Sequence, residues 1–394
     1  RGFNLKFYYG GKDSFDFAEH ILKLIIKRPQ FGRKINSEIR KHSDRIKKEC
    51  ASINPVFLQK LSNKKLSDYY LKLDKTHTDL YAWGWLANAV DMFHNNFTNY
   101  LKSILKKKLS EDKINPVLVA LSISREKSIL REEHGSFLNL VALRQGGISK
   151  IELIKAIINH LNKYFYLKHL WLGREGIYDF NYYQKEIKKY IASGENAREA
   201  VKKEAKIFKD SLRQKLKTIK ELNLSKKEIA LFEIYTEFSV TKVCRRDAQL
   251  FWAYKMDFIF KELKKRLKLP VNLIRFMFPG EIVNALLKKD NTRSLKKELS
   301  ERFKFSVYYA EKGVDLIFKG KEARKIAVSL EKKNDMETKE IFGQTACLGF
   351  ARGKVRIINS IKEMKKMKKG DILVSIATNP DIVSAMKMAA AIVT

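Results

Sequence analysis

Six prolines and 18 glycines in 394 residues leave this chain little that could interrupt a helix. Proline and glycine are the strongest local breakers of regular structure, so long helices are predicted to dominate. The spacing agrees from the start to about residue 300. Ser14 precedes Phe15, Phe17, Ala18, Ile21, Leu22 and Ile25, a stripe at helical spacing that suits one buried face. Asn54-Pro55 reads as a cap with proline in the first turn. Ser67 to about Phe97, with Trp83 and Trp85, reads as a buried helix or helix pair. Ser149-Lys-Ile-Glu152 and Ser225-Lys-Lys-Glu228 fit the capping box, in which serine and glutamate satisfy each other's free backbone donors. The second opens the longest periodic run, Ser225 to about Lys268, just before Pro270. Such a length suits a bundle.

Hydrophobic residues at 45% and charged residues at 31% describe a folded chain with a core. They exclude collagen, low-complexity disorder and a disulfide scaffold. The sequence shows neither an apolar run of about 18 uncharged residues nor a basic-then-apolar leader. Three scattered cysteines, Cys50, Cys244 and Cys347, fit a reducing cytosol, so a cytoplasmic protein is expected. The chain opens on Arg1 rather than methionine and stops at Thr394 directly after an apolar run, and it reads as a fragment.

The net charge of +36 raises the question of nucleic acid. Lysines number 60 and arginines 20, whereas bidentate phosphate and base contacts favour arginine. The lysines are also spread evenly, without a dense basic block. An AT-rich genome writes Lys, Ile, Phe, Tyr and Asn together whatever the function. A basic, solvated helical surface that binds polyanions weakly and salt-sensitively stands beside that reading.

The period changes near residue 303. Phe303 to Tyr309 alternates like a half-buried strand, Glu311-Lys-Gly313 supplies a turn, and Val314 to Phe318 alternates again. A short helix is expected from Lys321 to about Lys332, then a polar linker to Glu340. After Phe342, strand-like and helical runs alternate. Lys354–Ile358 and Asp371–Ser375 read as strands, Ile361–Lys369 and Asp381–Ala390 as helices, and Ala391–Val393 as the start of a third strand. That order is the grammar of a β/α domain. The predicted organisation is a helical module over 1–302, a hairpin, helix and linker over 303–337, and a partial β/α domain over 338–394.

Few side chains in the helical region announce chemistry. None of the seven histidines, at 20, 42, 77, 94, 134, 160 and 169, forms a zinc-type pair, so surface or hydrogen-bonded core roles are expected and no metal. Arg144-Gln-Gly-Gly147 lacks the spacing of a phosphate loop and reads as a helix-ending turn. Arg245 and Arg246, beside Asp247, read as a solvated or intrahelical ion-paired face, with a substrate clamp as the alternative. Tyr81, Trp83 and Trp85, with Trp171 and Trp252, fit aromatic core packing or the lining of an apolar pocket.

The informative stretch is the last 52 residues. Gly343, Ala346, Gly349 and Gly353-Lys-Val-Arg356 are followed by Lys369-Gly370-Asp371-Ile-Leu-Val374, then Thr378-Asn-Pro380-Asp381, Met386 and Ala389 to Thr394. Gly349 and Gly353 bracket a turn where the backbone passes close to a neighbour. Gly370-Asp371 ends a helix and opens a buried strand. Thr378, Pro380 and Asp381 sit in a strand-to-helix loop whose hydroxyl and free N–H groups suit either an anion or an ordinary helix cap.

This ordered set resembles the phosphohistidine swivelling domain of the phosphoenolpyruvate-utilising enzymes, the group of phosphoenolpyruvate synthase, pyruvate phosphate dikinase and the rifampicin phosphotransferases. The resemblance covers about 13% of the chain. It implies a mainly α module followed by a truncated β/α swivelling domain, which relays a phosphoryl group between a small-molecule donor and an acceptor. It implies ATP and Mg for the full-length family. It also implies a catalytic histidine about eight residues beyond Ile392-Val-Thr394, so the catalytic residue is expected outside this chain and the fragment by itself is expected to be inactive. Thr378 would steady the phosphorylated imidazole while Asp381 caps the helix behind it. A non-enzymatic basic helical protein that binds nucleic acid or another polyanion, with no membrane association, is the alternative.

Overall fold

The computed structural model describes residues 5–394 except 93, 170–175, 289–291, 312, 332–342, 344–348, 360 and 377–381. It divides into two compact units, 1–339 and 340–394.

The first unit is a helical bundle. Its axis is the 42-residue helix Lys226–Leu267, opened by the Ser225–Glu228 capping box, which at 1.5 Å per residue is about 63 Å long. Buried residues from Ala230 to Leu267 lie all round it, so it runs through the core rather than over it. Pro29–Cys50 and Asn63–Met92 pack against it and against each other. Ile35, Ile39, Leu66, Leu73, Leu80, Phe97, Phe232 and Ile259 from these and adjoining helices share one core cluster. The helix ends with Lys268 in the left-handed conformation, two residues before Pro270.

Local chemistry sets most boundaries. The Asn54 side chain accepts from Phe57 N, which starts Pro55–Gln59. The Ser149–Glu152 capping box opens Lys150–Tyr164. Ile129–Gln145 ends at Gly146, and Gly147 turns the chain at φ +80°. The Gln145 side chain then receives Ala197 N at 2.9 Å and donates to Glu195 O at 2.7 Å, so this turn pins the start of Ala197–Glu221. A second cluster around Leu140, Val141, Ile157, Tyr183 and Ile187 joins these helices to Phe180–Ala192.

Two readings shift. The stripe at the chain start folds as Gly11–Lys27 with Ala18, Ile21, Leu22 and Ile25 buried, but Phe15 and Phe17 stay 40% exposed. Their place on the first turns carries them past the edge of the packed face. The start of the alternation, 303–304, belongs to the helix Thr292–Lys304, where the Phe303 ring meets Phe276 edge-on at 5.5 Å. Strands β1 (Ser306–Glu311) and β2 (Val314–Lys319) then pair antiparallel, with Tyr309 opposite Leu316, and Gly320–Leu330 follows as a helix. Arg302 ties this region to the bundle, bonding both oxygens of Glu281 at 2.8 and 2.9 Å and Glu298 at 3.0 Å. Glu298 in turn receives Lys319 from β2.

The second unit is a three-stranded parallel sheet in the order β3 (Val355–Ile357), β4 (Ile372–Val374) and β5 (Ala391–Val393). Val355 pairs with Ile372 and Ile372 with Ala391. The 3-10 helix Ile361–Lys366 and the short helix Val383–Met386 form the connections. Ile358, Met367, Leu373, Ile382 and Ala385 make its core. The chain is therefore mainly helical, with a small β/α region at its C-terminal end. Among the described residues no helix is long and apolar enough to cross a membrane.

Candidate functional site

Gly353, Gly370 and Asp371 of the C-terminal pattern lie at the amino edge of the parallel sheet. At the amino edge, Gly353 passes so close to Gly370 that a Cβ on it would sit 2.2 Å from the Gly370 carbonyl oxygen. Gly370 itself adopts φ +91°, which a side chain rarely tolerates. This approach lets Ile372 N reach Lys354 O at 2.9 Å and start the β3–β4 ladder. Among the described residues a Cβ at Gly349 would meet no atom within 4 Å, so the demand for glycine that the structure shows in this turn is at Gly353.

Asp371 closes the same edge. Its Oδ2 accepts from Arg356 Nε and from Lys368 N, both at 3.0 Å. The Arg356 hydrogen bond, helped by that backbone N–H, holds the Asp371 carboxyl below the usual carboxylate range. These contacts join β3 to the approach to β4. They make Asp371 a fastening of the sheet.

The carboxyl edge is where open β/α sheets gather ligands. Here Asn359, just past β3, accepts through Oδ1 from the Ser375 hydroxyl at 3.3 Å and from Ile376 N at 2.8 Å, just past β4. Asn359 N donates to Glu363 at 2.9 Å, which fixes the turn into Ile361–Lys366. Ser375 N donates to Val393 O at 3.0 Å, extending the order to β5. Thr378, Pro380 and Asp381 follow directly in sequence, in 377–381, and lie outside the described residues. Sequence reasoning passed over Asn359, because a single asparagine after a strand is an ordinary turn residue. Its role depends on which neighbouring strand end it meets.

In the helical unit Trp252, Tyr81 and Trp85 form a connected aromatic run through His77. Trp83 is half-buried beside the main core with Lys34 5.8 Å from its ring, Trp85 stacks with Tyr81 at 6.1 Å and lies 5.5 Å from Tyr9, and Trp252 stacks on His77 at 4.0 Å. Trp85 borders an open hollow of about 290 Å³ with Tyr9, Asp13, Phe17 and Ala89. Trp171 and Cys347 lie outside the described residues.

Asp247 is not solvated, contrary to the expected ion-paired surface. It is buried, accepting from the Tyr166 hydroxyl at 2.8 Å and pairing with Lys47, because its helix runs through the core. Of the histidines, His160 Nδ1 meets Ser136 Oγ at 2.8 Å, and its Nε2 lies 3.3 Å from Glu133. Ser136 sits inside the helix Ile129–Gln145, where backbone N–H groups are spent on the helix and none can stabilise an oxyanion. The group ties helices together. His169 likewise pairs with Asp257 at 2.9 Å. Among the described residues no group of three or more His, Cys, Asp or Glu side chains could hold a metal ion.

Comparison with known proteins relates part of this chain to the phosphoenolpyruvate-utilising enzymes. The relatives are phosphoenolpyruvate synthases. A probable phosphoenolpyruvate synthase of Methanocaldococcus jannaschii is 43% identical over 95 residues, 24% of this chain and 8% of the relative. That of Archaeoglobus fulgidus is 58% identical over 52 residues, 13% of this chain and 7% of the relative. The phosphoenolpyruvate synthase of Helicobacter pylori is 41% identical over 78 residues, 19% of this chain and 10% of the relative. The matched stretches thus span a tenth or less of these relatives. No family model matches the chain.

Proposed function

We propose that this chain is part of a phosphoenolpyruvate-synthase-like phosphotransferase, in which residues 340–394 contribute to a domain that carries a phosphoryl group on a histidine. The observation that carries the reading is the 58% identity to a phosphoenolpyruvate synthase over 52 residues. The parallel sheet supports it, since Asn359, Ser375 and Ile376 order its carboxyl edge just before the Thr378 loop. None of the seven histidines lies in residues 340–394, so in this reading the phosphorylated imidazole is one that these residues do not themselves supply. A neutral ring nitrogen there attacks phosphorus, the donor oxygen leaves with the bonding pair, and the labile phosphoramidate passes the group to an acceptor. Thr378 steadies the phosphorylated ring through its hydroxyl, and Asp381 caps the following helix.

ATP and Mg enter this reading as the phosphoryl donor and metal of the whole protein. The described residues offer no cluster able to hold a metal, and the sequence has no phosphate-loop pattern. Donor and acceptor are small molecules.

The test is acid-labile phosphohistidine formation by the full-length protein with ATP or phosphoenolpyruvate as labelled donor. Thr378→Val is expected to lower labelling tenfold or more, as for loss of a preorganised donor, with stability held within about 1 kcal/mol. Asp381→Ala shows the reverse pattern, costing about 1 kcal/mol through the lost cap with a smaller effect on rate. Absence of acid-labile label in the wild type overturns the relay. Normal labelling of Thr378→Val reduces the loop to a helix cap. A second reading, polyanion binding by a basic helical surface, draws on the helix Ala197–Glu221, which buries only Ala197, Lys215 and Thr218.

A further inference from the structure

From the seam between helices Asn63–Met92 and Lys226–Leu267 we infer a seat for the phosphate or carboxylate group of a small molecule, built around Arg245 and Lys242. On the long helix Lys242, Arg245, Gln249 and Trp252 recur at helical spacing and share a face. His77, Tyr81, Gly84, Asn88 and Asp91 do the same on the other helix. The two faces meet. His77 stacks on Trp252 with its ring plane 14° away and lies 3.3 Å from the Gln249 amide. The Arg245 guanidinium is 5.7 Å from the Tyr81 ring centre. Gly84 makes room for it, since a Cβ there would fall 2.3 Å from Arg245 Cδ.

The seam holds more donors and positive charge than it can satisfy. Asn88, with its amide oxygen turned to the arginine, accepts from both Arg245 terminal nitrogens at 3.0 and 3.1 Å. That leaves Arg245 Nε and Trp252 Nε1 buried without an acceptor. Among the described residues neither Arg245 nor Lys242 has a carboxylate within ion-pair distance. Asp91, on the facing helix, accepts from Thr98 N at 2.9 Å and Thr98 Oγ1 at 2.8 Å, and its charge reaches Lys242 through space without a direct bond. His77 adds no negative charge. Burial lowers the pKa of both Lys242 and Arg245, and the Asp91 charge offsets only part of the effect on Lys242.

Lys242 and Arg245 are half-buried, but buried polar atoms are normally bonded, so the unanswered Arg245 Nε and Trp252 Nε1 leave the seam short of an acceptor. Water would supply acceptors only. An oxyanion supplies acceptors and negative charge, and matches guanidinium geometry. The stacked Tyr81 and Trp85, the former 40% exposed, form an aromatic ledge for the rest of the molecule. The site lies wholly in the helical unit and does not depend on the phosphoryl relay.

Inorganic phosphate and acetate are the probes, each titrated into the chain at constant ionic strength set with sodium chloride. Tryptophan fluorescence and thermal unfolding report binding. A saturable response to either anion is expected, and the stronger of the two identifies the preferred group. Arg245→Gln should weaken it at least tenfold and Lys242→Met at least threefold. Lys209→Gln, on the exposed face of Ala197–Glu221, should leave it within twofold and thereby exclude diffuse charge. If Arg245→Gln fails to fold, Lys242→Met carries the test. No saturable response in the wild type would mean that the seam holds water, and unchanged affinity in both variants would place the anion elsewhere; either result overturns the inference.

Discussion

A methyl group is the smallest change that separates the glycines of the C-terminal pattern. At Gly353 it would collide with the Gly370 carbonyl, which is backbone and cannot swing aside. Gly353→Ala is therefore expected to cost about 3 kcal/mol, at the upper end for overpacking, whereas Gly349→Ala stays within about 0.5 kcal/mol. Hydrogen exchange at the Leu373 amide separates the two, since that residue is at the centre of β4. His77 makes a second residue-level case. Burial, with Arg245 adding repulsion, pushes its pKa down to about 4 from an ordinary value of 6.5. Between those values the unfolded chain binds a proton that the folded chain refuses, so stability falls as pH drops from 6.5 to 4. The loss approaches about 3 kcal/mol at 1.36 kcal/mol per unit. His77→Phe keeps the stack on Trp252 and should flatten this part of a melting-temperature profile against pH. A slope unchanged in the variant would assign the acid sensitivity to other groups.

Elements were legible where their ends carried local chemistry. Ser225 with Glu228, Ser149 with Glu152, and Asn54 with Pro55 each name their own partner within three residues, and all three form as expected. The boundary at Phe303 was not legible, because three alternating residues suit a strand or the last turn of a helix equally. Its packing against Phe276 decides. The hairpin that follows is a two-stranded sheet, an element marginally stable by itself, and it depends on the Arg302 network. Removing Arg302 leaves Glu281 half-buried without its two-point partner and Glu298 held by Lys319 alone. Arg302→Met is expected to cost about 2 kcal/mol. It should also open the β1–β2 amides to exchange before those of Lys226–Leu267, and simultaneous opening would show that the hairpin needs no such tether.

Across the whole molecule the charge of +36 outweighs every local electrostatic feature. Many of its ion pairs are local ones between exposed groups, such as Lys64 with Asp68 and Lys217 with Glu221, which are worth little and do not discharge the surface. If that surface binds nucleic acid by neutralising several phosphates, affinity should fall by orders of magnitude between about 50 and 200 mM salt. No binding at low salt removes that reading. The sequence by itself determined the mainly helical class, the long central helix, the change of period near residue 303, the β/α order after Phe342 and the relation to phosphoenolpyruvate synthases. Each of these is written in neighbours: breaker frequency, apolar period, caps and an ordered run of short patterns. Only the tertiary structure decided that Asp247 is buried, that Asn359 meets the end of β4, and that Arg245 lies against Tyr81 with donors to spare. Those outcomes depend on pairs far apart in the chain, such as Tyr166 with Asp247 or His77 with Trp252. Local propensity fixes which face a residue joins, and long-range packing fixes what that face meets.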